Sequence, residues 1–127
     1  MRNFKIGIYI SSNNFIGGAF QYTETMIDAI SSLGRNVKKY IIAEREVIKD
    51  YSIEKDFQKI LINENDFQKK ISVLFSRFTS SKKTNIIFNN FFYDKIRKIN
   101  SLNLDLIVFP TQDRESFIIN SKPKLLK

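Results

Sequence analysis

Phe4, Ile6, Ile8 and Ile10 alternate with Lys5, Gly7 and Tyr9, and this period of two predicts a strand over Asn3 to Ile10. Nothing after Lys5 in that run is charged, so the strand is expected to be covered on both faces. Ser11-Ser12-Asn13-Asn14 has loop composition and ends it. The period then changes. Ala19, Tyr22, Met26, Ala29, Ile30 and Leu33 recur at three and four residues, which predicts one helical stripe closed by Gly34 as its C-cap.

Val37 to Ala43 reads as a second strand with a β-rich centre at Tyr40, Ile41 and Ile42. Glu44 to Asp56 is mixed and charged, a short helix or a loop, and Lys59 to Ile62 is a short third strand. Behind the capping residues Asn65 and Asp66, a regular stripe of Phe67, Ile71, Leu74, Phe75 and Phe78 predicts a helix ending near Ser80. Thr84 to Asn90 fits either a strand or the start of a helix. Because Phe88, Phe92, Ile96, Ile99 and Leu102 continue at helical spacing, a helix to about Ser101 is preferred. Leu104 to Phe109 is a fourth buried strand stopped by Pro110. Glu115 to Asn120 suggests a short helix, and Pro123 to Leu126 the beginning of another strand.

Strands separated by helical segments of this length imply β-α-β crossovers, so the expected fold is α/β: a Rossmann-like parallel sheet with helices on both faces. The tetrapeptide DFQK at Asp56 to Lys59 and again at Asp66 to Lys69 has no wider repeat around it and is put down to composition. With 127 residues, of which 43% are hydrophobic, one domain with a full core is expected.

Composition narrows the chemistry. The chain has no cysteine and no histidine, which excludes disulfides, thiolate metal sites and histidine-based catalysis. Carboxylates, amides, hydroxyls and cations remain, and no metal is expected. No apolar run is long enough to span a bilayer, and the N-terminus lacks a signal-peptide layout, so a cytoplasmic location is expected. A net charge of +8 admits an anionic membrane, a phosphorylated ligand or nucleic acid as partner, although an AT-rich coding bias gives the same balance. The lysines come in scattered pairs without a recognition helix or RNA-binding signature, and the phenylalanines fall at core spacing; nucleic acid is therefore not the expected partner.

Gly17 and Gly18 sit where the loop after the first strand enters the helix. In a parallel sheet that loop lies at the carboxyl ends of the strands, where ligands bind. Residues without Cβ let a ligand approach the backbone, and free N–H groups at a positive helix end favour an anion such as phosphate. The same glycines would also serve a tight strand-to-helix turn. G-x-G-x-x-G and the lysine of a P-loop are both absent.

The segment KIGIYISSNNFIGGAFQYTETMIDAISSLG resembles the N-terminus of family-4-type glycosyltransferases, retaining enzymes of the GT-B fold, whose first strand runs into a Gly-Gly-x-Phe-Gln-Tyr loop and helix. LDLIVFPTQDRESFIINSKP looks like a later stretch of the same domain, and Glu44 to Asn103 matches in pattern only. The resemblance implies residues 1–127 as the acceptor-side N-terminal domain, with Gly17 and Gly18 near the phosphates of a nucleotide-sugar donor, which is a substrate and not a cofactor. Phe20 and Gln21 would line the cleft. Packing against the helix serves Phe20 equally well and is preferred for Tyr22. Thr111, Gln112 and Asp113, after the fourth strand, are candidates for the acceptor hydroxyls, with plain helix capping by Thr111 or Asp113 as the alternative. The family's C-terminal domain, with its paired glutamates, has no counterpart here, nor does the strand after Pro123 that leads to a histidine. The chain is thus expected to be half of an enzyme, inactive until a second domain or partner chain completes it.

The function expected on these grounds is sugar transfer in polysaccharide or lipid-linked glycan synthesis, with peripheral association at the inner face of the membrane. A different class of reading is a non-catalytic α/β module that binds a small phosphorylated ligand or a protein partner. Charge-driven nucleic-acid binding is the third.

Overall fold

The structure is a computed structural model that describes residues 4–10, 18–49, 51, 57–63, 65–110 and 124–126. The first strand, β1 (Phe4–Tyr9), is followed by α1 (Gly18–Ser31), β2 (Val37–Ala43) and a single-turn α2 (Arg45–Ile48). Next come β3 (Phe57–Leu61), α3 (Asp66–Phe78), α4 (Lys82–Phe92), α5 (Asp94–Asn100), β4 (Leu106–Phe109) and β5 (Lys124–Leu126). All strand pairs are parallel, in the order β3-β2-β1-β4-β5. The chain is therefore an α/β protein whose strand order is that of a Rossmann-like sheet. The strand expected to begin over Pro123 to Leu126 is present as the three-residue β5, with Lys124, Leu125 and Leu126 opposite Ile107, Val108 and Phe109.

The period of two in β1 divides the core. Ile6, Ile8 and Ile10 project to one face, where Ile41 and Ala43 of β2 join Ile27 and Ile30 of α1 and Val47 and Ile48 of α2. Tyr9 projects to the other, with Tyr40, Ile42, Ile107 and Phe109 beneath Tyr93, Ile96, Ile99 and Leu104. Gly7 lies on this second face. A Cβ there would stand 2.7 Å from Leu104 Cδ1, so the absent side chain leaves room for Leu104 to pack on the strand. The backbone N–H of Lys5 donates to the Asp105 carboxylate at 2.8 Å, and the Asp105 N–H donates to the Lys5 carbonyl at 2.9 Å, which sets β4 beside β1.

Four expectations are corrected. In α1 the core face is Thr23, Ile27 and Ile30 with half-buried Met26, whereas Tyr22, Ala29 and Leu33 are exposed. Gly34 does not cap α1 in a left-handed conformation: the helix ends at Ser31, the φ of Gly34 is ordinary, and no atom stands within 4 Å of where its Cβ would be. The carbonyls at and just past the helix end, Ser31 O and Leu33 O, instead accept from the buried Lys39 ammonium, at 3.2 and 2.8 Å, a cation well placed against a helix C-terminus.

The helix expected to run to Ser101 is two, α4 and α5, because Tyr93 between them is extended (φ −94°, ψ 106°) and points its ring into the core. The start at Lys82 is fixed by Ser81, whose hydroxyl accepts from the Thr84 N–H at 3.2 Å. Finally, α3 begins as expected, with the Asn65 side chain accepting from the Gln68 N–H at 3.0 Å, but its apolar stripe is split between the inner and outer sides. Phe67, Leu74 and Phe78 are exposed, Ile71 and Phe75 are half-buried, and the fully buried residue is Ser72.

Candidate functional site

In a parallel sheet, binding sites form at the carboxyl edge where the chain reverses its direction of strand addition, because the loops there diverge and leave a crevice. That point here lies between β1 and β4: from β1 the chain moves outward through β2 and β3, then returns to add β4 and β5 on the other side. The two strands pair directly, Ile6 with Leu106, Gly7 with Ile107 and Ile8 with Val108, so their carboxyl ends at Tyr9-Ile10 and Phe109-Pro110 are neighbours.

The predicted site residues map onto this edge through the connectivity. Gly18 is the first residue of α1, and Phe20 and Gln21 belong to its first turn. Gln21 is exposed, and its carbonyl accepts from the Thr25 hydroxyl at 2.9 Å. Tyr22, expected to pack, is 38% exposed. Gly17, Thr111, Gln112 and Asp113 lie outside the described residues. The expected short helix at Glu115 to Asn120 does too. The described strand ends that precede them in the chain, Tyr9-Ile10 and Phe109-Pro110, are neighbours.

One cation at this edge was not singled out from the sequence. Lys95, in the first turn of α5, is 5% exposed, and its Nζ donates to Tyr9 Oη at 3.1 Å. The ammonium also stands over the rings of Tyr9 and Tyr93, 5.7 and 5.4 Å from their centroids. Burying an ammonium costs free energy unless it finds an acceptor or a π face, and here it has both. Because Tyr9 closes β1, the positive charge is fixed beneath the end of the central strand. Nothing in DKIRKIN distinguished Lys95 from Lys98; only the turn of a short helix against the sheet separates a buried lysine from a surface one.

Further along the same edge, beyond β2 and β3, Glu44, Arg45, Glu46, Leu61, Asn63 and Lys98 surround an open depression of about 440 Å³. The Lys98 ammonium donates to the Leu61 carbonyl at 2.5 Å and so ties α5 to the end of β3. The mixture of carboxylates and cations suits a polar, hydroxyl-rich molecule better than a compact anion. Among the described residues no group of three or more acidic side chains is gathered as a metal site would need. No helix among them is long and apolar enough to cross a membrane.

No known protein family matches the chain, and no curated protein and no solved structure shows significant similarity to it.

Proposed function

We propose that this domain is the acceptor-side half of a nucleotide-sugar-dependent glycosyltransferase acting in polysaccharide or lipid-linked glycan synthesis. The observation that supports the reading most is the direct pairing of β1 with β4 at the reversal point of the strand order. In the sequence Gly17 and Gly18 follow β1 and Thr111, Gln112 and Asp113 follow β4, which supports reading them as parts of one site, as the resemblance of the Gly-Gly-Ala-Phe-Gln-Tyr block to GT-B enzymes implies.

The mechanism under this reading is electrostatic and positional. Amides at the start of α1 steady a donor phosphate, and the buried Lys95 charge beneath β1 adds to the positive potential there. Thr111, Gln112 and Asp113 orient an acceptor hydroxyl toward the anomeric carbon, so the two reactants meet at a fixed distance. The nucleotide sugar enters as a substrate, and its nucleotide is held mainly by a second α/β domain.

The test is sugar transfer by the chain joined to a nucleotide-sugar-binding domain. Gly18→Val should lower kcat/KM about 100-fold or more by displacing the donor phosphate. Full activity in that variant would overturn the loop assignment. Tight calorimetric binding of a sugar phosphate by the chain alone, with no transfer when the second domain is supplied, would favour the non-catalytic module instead.

A further inference from the structure

The α3–α4 hairpin carries a polar seam between its helices and large apolar side chains on its outer face. Between the helices, Ser72 donates its hydroxyl to the Asn89 side-chain carbonyl, and Asn89 Nδ2 donates to both Asn85 O and Asn85 Oδ1 at 2.8 Å. Asn85 Nδ2 donates in turn to Ser76 Oγ at 3.0 Å. The contacts of residue 72 with 89 and of 76 with 85 show that the helices run antiparallel. Phe75 and Phe88 stack beside this polar seam with centroids 4.0 Å apart.

Five other large apolar side chains point the other way. Phe67, Leu74 and Phe78 form one stripe along α3 at spacings of seven and four, with exposures of 67, 49 and 81%. Ile87 and Phe91 form another along α4, at 60 and 82%. In water, interhelical faces are ordinarily apolar and outer faces polar. Here serine and asparagine share the inner face with Phe75 and Phe88, while Phe67, Leu74, Phe78, Ile87 and Phe91 face outward, an arrangement suited to an apolar medium outside.

Charge decides which medium. Lys69, Lys70, Arg77, Lys82 and Lys83 are all exposed on the same two helices, and Asp66 is the sole acidic residue between positions 66 and 92. Beside the α3 stripe, Lys69, Lys70, Arg77 and Leu74 help line a depression of about 540 Å³. A second copy of this face would bring like charges together. Nucleic acid would neutralise the cations but would leave Leu74 and Ile87 without a use, since aliphatic side chains offer no stacking surface. A bilayer with anionic headgroups satisfies both parts: the cations meet phosphates, and the apolar stripes enter the acyl boundary. A helix of 13 residues is only about 20 Å long, so α3 lies in the interface and does not span it.

We infer that the outward face of the α3–α4 hairpin is a docking surface for an anionic lipid bilayer. The inference stands on these helices alone and does not depend on the sugar-transfer reading.

The experiment is vesicle flotation of the full chain, with phosphatidylcholine vesicles compared to mixed phosphatidylcholine–phosphatidylglycerol vesicles. Binding to the mixed vesicles, falling as salt rises, is expected. The double variant Phe78→Asp/Phe91→Asp should lose binding at least ~10-fold, since it replaces two membrane-facing rings with charges that repel the headgroups. Both positions are more than four-fifths exposed, so the fold should survive, which circular dichroism checks. Lys69→Gln/Lys70→Gln/Arg77→Gln should lose roughly 100-fold at low salt and flatten the salt dependence. Equal binding to neutral and anionic vesicles, or none to either, would overturn the proposal. So would light scattering that shows a dimer abolished by the phenylalanine variant, or retention on DNA that this variant leaves unchanged.

Discussion

Gly7 and Gly34 are the same residue type with opposite reasons for being there. At Gly7 the nearest atom to an added Cβ is the end of the buried Leu104 side chain, so Gly7→Val must displace that side chain within the core. About 1–3 kcal/mol of stability should be lost, as for other overpacked cores. At Gly34 an added methyl meets open space and an ordinary φ, so Gly34→Ala should raise stability by about 0.4–1 kcal/mol through the unfolded chain. Urea unfolding of the two variants checks both signs. A Gly34→Ala protein less stable than the parent would restore this residue to a capping role. Neither difference can be read from the alphabet: glycine after an amphipathic run suggests a C-cap, but the cation that satisfies this helix end, Lys39, arrives from the next strand.

At the level of elements, helix starts were the most legible feature, because a capping side chain acts within three residues of itself. Asn65 is such a case, and Asn65→Ala should cost about 1 kcal/mol by leaving the Gln68 N–H without its acceptor. The loss should appear equally in thermal and urea unfolding, and no change in either would mean that water caps α3 equally well. Which face of a helix turns inward was less legible. Phe67, Leu74 and Phe78 carry the period of a core face, yet among the described residues none covers them, and Ser72 and Asn89 occupy the inside beside Phe75 and Phe88. Periodicity reports that a face exists and not what covers it. The break at Tyr93 escaped notice for a related reason: Phe88, Phe92, Ile96 and Ile99 keep helical spacing across it, and only the demand that the Tyr93 ring enter the core opens the backbone.

Across the whole molecule, stability should be graded by position in the sheet. β1 is bonded on both sides, by β2 and β4, and β2 likewise by β1 and β3; β3 and β5 are edges. In native-state hydrogen exchange the amides of β1 and β2 should be the last to exchange and those of β3 among the first in the sheet. If β3 were as protected as β1, another strand would have to cover that edge in solution. The candidate site inherits its rigidity from the same centre, since Tyr9, which receives Lys95, is the last residue of the most enclosed strand. The sequence by itself determined that strands alternate with helices, where β1, β2 and β4 fall, and that a glycine pair enters α1, because these depend on contacts only a few residues apart. Tertiary structure alone decided that β1 and β4 are neighbours, that Lys95 is buried, and that Phe67, Leu74 and Phe78 of α3 face outward, because each depends on which distant segments come to lie against one another.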